Sequence, residues 1–93
     1  MDDDLRARIA RAAEVLRAFG AREVYVFGSA ASGTMRPDSD VDLAVSGLPP
    51  RVFFKAMGGA SDAVGREIDL IDLDDDTLFT QYLRRKGKLH RVA

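Results

Sequence analysis

Apolar side chains recur at helical spacing at Leu5, Ile9, Ala12, Ala13, Leu16 and Phe19, so the chain opens with an amphipathic helix. Aspartates at its start suit the positive end of a helix dipole, and Gly20 is placed to end it. The pattern then changes. Glu23 to Phe27 is continuously apolar, β-branched or aromatic after its first residue, the mark of a buried strand. A second strand is predicted from Asp40 to Val45. Pro49-Pro50 opens a helix carrying Val52, Phe53, Met57 and Val64, weakened in the middle by Gly58-Gly59. Glu67 to Leu73 predicts a third strand, and Leu78, Phe79, Tyr82 and Leu83 form the apolar face of a last helix that Gly87 ends. Asp74 to Asp76 are read as its cap. The basic run from Arg84 to Lys88 is read as a solvated helix end complementing the dipole, and His90 is given no role. Of Phe53 and Phe54, one belongs to the core and an exposed one would favour a partner surface. The order αβ(turn)βαβα, with short connections, predicts an α/β domain with a small sheet backed by helices.

At 93 residues the chain is expected to form one domain, residues 1–93. Such a domain leaves no room to enclose two substrates, so an acceptor would come from another chain or from a second copy of this one. With 14 basic and 15 acidic side chains there is no basic excess to draw bare nucleic acid. No cysteine is present, which excludes disulfides and thiolate metal sites. Met1-Asp2-Asp3-Asp4 has the wrong charge for a signal peptide, and no apolar run is long enough to span a bilayer, so a cytoplasmic location is expected.

The chemistry lies between Val24 and Leu43, VYVFGSAASGTMRPDSDVDL. An apolar strand stops at Gly28-Ser29; a small-residue turn or short helix over Ala30 to Ser32, closed by Gly33, and an Arg-Pro-Asp turn follow. Glycine lets the backbone approach a phosphate closely, while exposed N–H groups and the Ser29 hydroxyl donate to it. Arg36 adds a positive charge or braces the loop. Residues two apart on a strand share a face about 6.5–7 Å apart, so Asp40 and Asp42 aim into one pocket. Two carboxylates on an apolar strand repel each other, and Mg²⁺ relieves them by taking one or two carboxylates plus phosphate oxygens. A metal pair held so suits in-line phosphoryl displacement. A P-loop is excluded because Thr34 and Met35 follow Gly33, and an EF-hand because Leu43 and Pro49 stand where Gly and Glu are required. Glu67, Asp69 and Asp72 are candidates for a third carboxylate, and alternation alone does not choose between them.

With Gly28-Ser29-Ala30-Ala31-Ser32-Gly33 ahead of Ser39-Asp40-Val41-Asp42-Leu43, the chain resembles the minimal nucleotidyltransferases of the DNA polymerase β-type superfamily, whose signature runs G-S-x-A-R-G, a spacer, then S-D-x-D-L. The resemblance covers most of the chain and implies a polymerase β-like fold with a small mixed sheet. It implies transfer of a nucleoside monophosphate from a nucleoside triphosphate, ATP with AMP transferred, and release of pyrophosphate. Gly28, Ser29, Gly33, Arg36 and Ser39 would bind the nucleotide. Asp40, Asp42 and Asp69 would be catalytic and hold two Mg²⁺ ions, Asp69 being chosen because Ile68-Asp69-Leu70 fits the family's apolar-Asp-Leu pattern. One departure is Ser32, where the family usually carries Arg, which implies weakened activity. The minimal class is similar to antitoxins that pair with a helical HEPN-type toxin, an RNase, some of which attach AMP to a tyrosine on the toxin. A non-catalytic antitoxin that masks its partner is the alternative, and a nucleotide-sensing regulatory domain a third.

Overall fold

In a computed structural model, which describes residues 3–36 and 38–93, the central element is β2 (Val41–Ser46), the most deeply buried of the strands. It pairs antiparallel with β1 (Glu23–Phe27) and parallel with β3 (Ile68–Asp72). A two-residue strand β4 (His90–Arg91) closes the other side of β1, giving the mixed order β3-β2-β1-β4.

Side chains alternate across β2 because successive Cβ atoms leave opposite faces of a strand. Val41, Leu43 and Val45 enter the main core, together with Val24 and Val26 of β1 and Ile68 and Leu70 of β3. Two helices cover that face, α1 (Asp3–Ala18) through Ile9, Ala12, Ala13 and Leu16, and α3 (Phe53–Val64) through Ala56, Ala60 and Val64. Gly58 and Gly59 do not break α3. A Cβ on Gly59 would lie 3.0 Å from Val15 Cγ1, so the missing side chain lets α1 and α3 approach closely. That packing offsets the roughly 1 kcal/mol that a mid-helix glycine costs.

On the opposite face, Ala44 packs with Phe27, Leu73 and Leu83. Leu83 belongs to α4 (Leu78–Arg85), and Phe79 of the same helix meets Phe27 edge to face, ring centroids 6.0 Å apart. This helix covers only part of the sheet. The end where β1 stops and β2 and β3 begin stays open, and that end carries the motif residues.

Several boundaries differ from the sequence reading. The strand expected from Asp40 begins at Val41, leaving Asp40 just outside the ladder. The helix expected after Pro49-Pro50 begins as a 3₁₀ turn over Pro50–Val52 before α3. The turn after Gly28 is a short helix, α2 (Gly28–Ser32). Asp74 to Asp76 do not cap α4. Thr77 does, accepting from the Thr80 backbone N–H in a reciprocal capping box. Asp74 instead accepts from the Gly47 N–H at 2.7 Å, and Asp76 from the Gln81 amide at 2.9 Å. Strand β4 was not anticipated. It is held by Arg91, 3.4 Å from Glu23, and by backbone bonds between Val24 and the last two residues. The arginine-proline-aspartate turn lies partly outside the described residues, at Pro37.

Candidate active site

Strand register decides what stands together. Asp42 is paired with Phe27 on one side and with Asp69 on the other. Cross-strand partners share a face, so the Asp42 and Asp69 carboxylates lie on the α4 side of the sheet, beyond the cover of that helix. Glu67 and Asp72 do not share this position. Asp72 is paired with Val45, and its carboxylate accepts from the Asp74 N–H at 2.9 Å, inside a turn. Glu67 is exposed just before β3, its carbonyl accepting from the Val41 N–H.

Because Phe27 is the partner of Asp42, the next residue, Gly28, lies against that carboxylate. Gly28 has φ +68°, and a Cβ there would run into Asp42 Oδ2. Only glycine meets both demands, a left-handed backbone and no side chain. Ser29 follows in α2, half-buried, with no hydrogen bond from its hydroxyl among the described residues. Gly33 caps α2 with φ +78° and returns its N–H to the Ser29 carbonyl. The Ser32 hydroxyl lies 3.3 Å from the Ser29 carbonyl and 2.8 Å from Thr34 Oγ1, so it is spent on bracing the turn.

The loop leading to Asp40 is closed on itself. The Arg36 N–H donates to Ser39 Oγ at 3.0 Å, and the Ser39 N–H donates back to the Arg36 carbonyl at 3.0 Å. Arg66, which sequence reasoning missed, holds this loop from the far side. Its guanidinium donates to the Ser39 carbonyl at 3.2 Å and touches Met35 Sδ at 3.4 Å. Nothing in sequence distinguishes Arg66 from the surface arginines around it; only the fold brings it under the residue before Asp40.

Burial foremost, and then the negative charges of Asp69 and Asp40, raise the Asp42 carboxyl above its ordinary value. Three carboxylates thus act on one locus electrostatically. Among the described residues, no group of three or more His, Asp or Glu side chains is gathered so that it could hold a metal ion by itself. The donor chemistry fits magnesium in its usual mode, in which one or two carboxylates are completed by substrate phosphates and water.

A cleft of about 390 Å³ adjoins the turn, lined by Gly28, Ala31 and Ser32 on one side and by Tyr82, Leu83, Lys88 and His90 on the other. Next to it α4 exposes Leu78, Phe79 and Tyr82, and on α3 Phe54 is the exposed member of the Phe53–Phe54 pair, 78% accessible. No helix of the described residues is long and apolar enough to cross a membrane.

Among curated proteins none matches this chain significantly. Among solved structures, a protein assigned as a minimal nucleotidyltransferase is 28% identical with a TM-score of 0.77, over 96% of this chain and 94% of the other. A toxin–antitoxin structure with AMP-PNP is 21% identical with a TM-score of 0.73, over 90% of this chain and 72% of that one. A complex of a tri-AMPylated Shewanella oneidensis HEPN toxin with its MNT antitoxin is 17% identical with a TM-score of 0.68, over 96% and 71%. The two less similar matches speak for the fold alone. The sequence model described as polymerase beta, nucleotidyltransferase, matches residues 12–89, a span that runs from α1 through the glycine turn and the carboxylate-bearing strands to the residue before β4. A match over that span, on a mixed sheet that brings Gly28, Asp42 and Asp69 to one open end, makes this chain a member of the polymerase β nucleotidyltransferase family.

Proposed function

We propose that the chain is one minimal nucleotidyltransferase domain that moves AMP from ATP to a hydroxyl of a HEPN-type toxin, as its cytoplasmic antitoxin. The observation that carries this reading is the Asp42–Asp69 register pair with Gly28 against Asp42 Oδ2. Two roles need two neighbouring carboxylates beside a phosphate-binding turn, and the pair supplies them. The complex of an MNT antitoxin with a tri-AMPylated HEPN toxin supports the choice of partner and transferred group.

In this reading the Gly28 and Ser29 backbone and the Ser29 hydroxyl hold phosphate oxygens of ATP, and Gly33 fixes the turn. Arg36 and Ser39 shape the loop that delivers Asp40. Asp40 and Asp42, with Asp69 beside them, would hold magnesium, which when bound neutralises the carboxylates and draws charge from the phosphates. Asp69, exposed at the strand start, accepts the proton of the acceptor hydroxyl. That oxygen bonds to the α-phosphorus, the bond from the α-phosphorus to the bridging oxygen breaks, and pyrophosphate departs with the bonding pair. The acceptor is presented by the partner, because Asp69 lies exposed at the open sheet end.

The second reading, a subunit that neutralises by masking, is favoured by Ser32. Its hydroxyl is spent within the turn and leaves no guanidinium where the family carries one. Label transfer separates the two. Protein, Mg²⁺, α-labelled ATP and source-cell extract are combined beside an Asp40→Asn/Asp42→Asn control. The enzyme reading expects one protein band labelled by the wild type alone. A partner held tightly without any wild-type-specific label overturns transfer and leaves masking.

A further inference from the structure

The cleft beside the glycine turn offers what Ser32 lacks. Its turn-side wall, Gly28, Ala31 and Ser32, has no charged side chain. The rest of its lining includes the Lys88 ammonium and His90, and among the described residues no acidic side chain lines it. The Asp42 carboxylate lies against Gly28, and Gly28 also lines the cleft, so an acidic and a basic group both adjoin the same turn. A triphosphate lying across such a turn meets both, its reacting end toward the carboxylates and its terminal phosphates toward the bases.

Lys88 is distinguished from the rest of the basic run by position. Arg84 is engaged, donating to the Leu73 carbonyl at 3.1 Å, and neither Arg85 nor Lys86 lines the cleft. The backbone around Lys88 is fixed at both ends: its N–H bonds to the Leu83 carbonyl at the end of α4, and β4 follows, with His90 paired to Val26. The anchored backbone holds a long, flexible, exposed ammonium beside the turn, a point charge of the kind that binds phosphate well.

We propose that Lys88, with His90 beside it, forms the basic wall that binds the terminal phosphates of the nucleoside triphosphate, replacing the cation absent at position 32. The proposal rests on the nucleotide-binding reading above and adds a subsite to it. It predicts compensation between residues that are far apart in sequence: a guanidinium introduced at position 32 should substitute for the lysine.

Calorimetric titration of the full chain with Mg²⁺–AMP-PNP and, separately, with Mg²⁺–AMP tests this. Lys88→Gln is expected to weaken AMP-PNP by about fivefold or more, the scale of one charge-assisted phosphate contact, and to leave AMP within twofold. Ser32→Arg is expected to restore AMP-PNP affinity in the Lys88→Gln background and to add less to the wild type. A thermal melt equal to that of the wild type checks that Lys88→Gln folds. Unchanged AMP-PNP affinity in a folded Lys88→Gln protein overturns the subsite while the nucleotide reading stands. Equal weakening of AMP and AMP-PNP also overturns it, placing Lys88 at the nucleoside or α-phosphate. If the wild type binds neither nucleotide, the nucleotide reading itself fails, and the subsite with it.

Discussion

Replacing Gly28 with alanine tests the contact at the centre of the site. Two costs are expected, and a second glycine separates them. At φ +68° an L-residue bears a left-handed backbone penalty of about 1–2 kcal/mol. Gly33, at φ +78° with nothing within 4 Å of a built Cβ, bears the same penalty and no other. At Gly28 the new methyl also meets Asp42 Oδ2 and forces that carboxylate from its rotamer, about 0.5–1.5 kcal/mol more. Gly33→Ala should therefore cost about 1–2 kcal/mol and Gly28→Ala about 1.5–3.5 kcal/mol. Each kcal/mol lowers Tm by about 4–8 °C in a domain of this size, so thermal melts resolve the difference. In an Asp42→Ala background the obstacle is gone, and the two glycine substitutions should cost the same. Gly28→Ala in the otherwise intact protein should also lose about a hundredfold or more in label transfer, since a reacting group displaced by about 1 Å loses that much. Equal melting of Gly28→Ala and Gly33→Ala with Asp42 present would refute the reasoning.

Two further outcomes follow from the same geometry. Burial and the charges of Asp69 and Asp40 raise the Asp42 carboxyl, so the folded chain holds that proton to higher pH than the unfolded chain. The native state therefore loses stability as pH rises from about 4, the ordinary carboxylate value, through the raised one, and above it the loss is complete. Asp42→Asn should accordingly melt higher than the wild type at pH 7, with the gap closing below about pH 4 and narrowing when Mg²⁺ is added; an asparagine variant that melts lower at pH 7 than the wild type contradicts this origin of the shift. Arg66→Ala should free the loop before Asp40 by removing the bond to the Ser39 carbonyl. It is expected to cost about 1–2 kcal/mol and to raise the Mg²⁺ concentration needed for half-maximal label transfer, and an unaltered magnesium requirement would make the arginine purely structural.

Much of the candidate site was legible because its parts are local. A strand ending at Gly28-Ser29, a small-residue turn and two aspartates at alternating positions are written in consecutive residues, where period and spacing carry the meaning. The first helix was legible for the same reason, through Ile9, Ala12, Ala13 and Leu16 on one stripe, whereas of the apolar face expected for α4 only Leu83 is buried and Leu78, Phe79 and Tyr82 are exposed. Caps were less so. Three aspartates before α4 fit the composition of a cap, but the Thr77–Thr80 pair makes it, because capping depends on backbone angles at one residue rather than on the charge of a neighbourhood.

The sequence by itself determined the order of elements as far as α4, the glycine turn, and the paired aspartates whose chemistry points to a divalent cation. Tertiary structure decided which later carboxylate stands beside Asp42, since alternation sorts residues into faces but cannot align one strand with another, and the parallel register sets Asp69 there and Asp72 three positions along. It also decided that Gly28 must be bare for Asp42, that Gly59 admits α1, that Arg66 reaches the loop before Asp40, and that Lys88 and His90 return to the turn. Each of these joins residues tens of positions apart. Their proximity depends on chain closure and packing, which local periodicity does not encode.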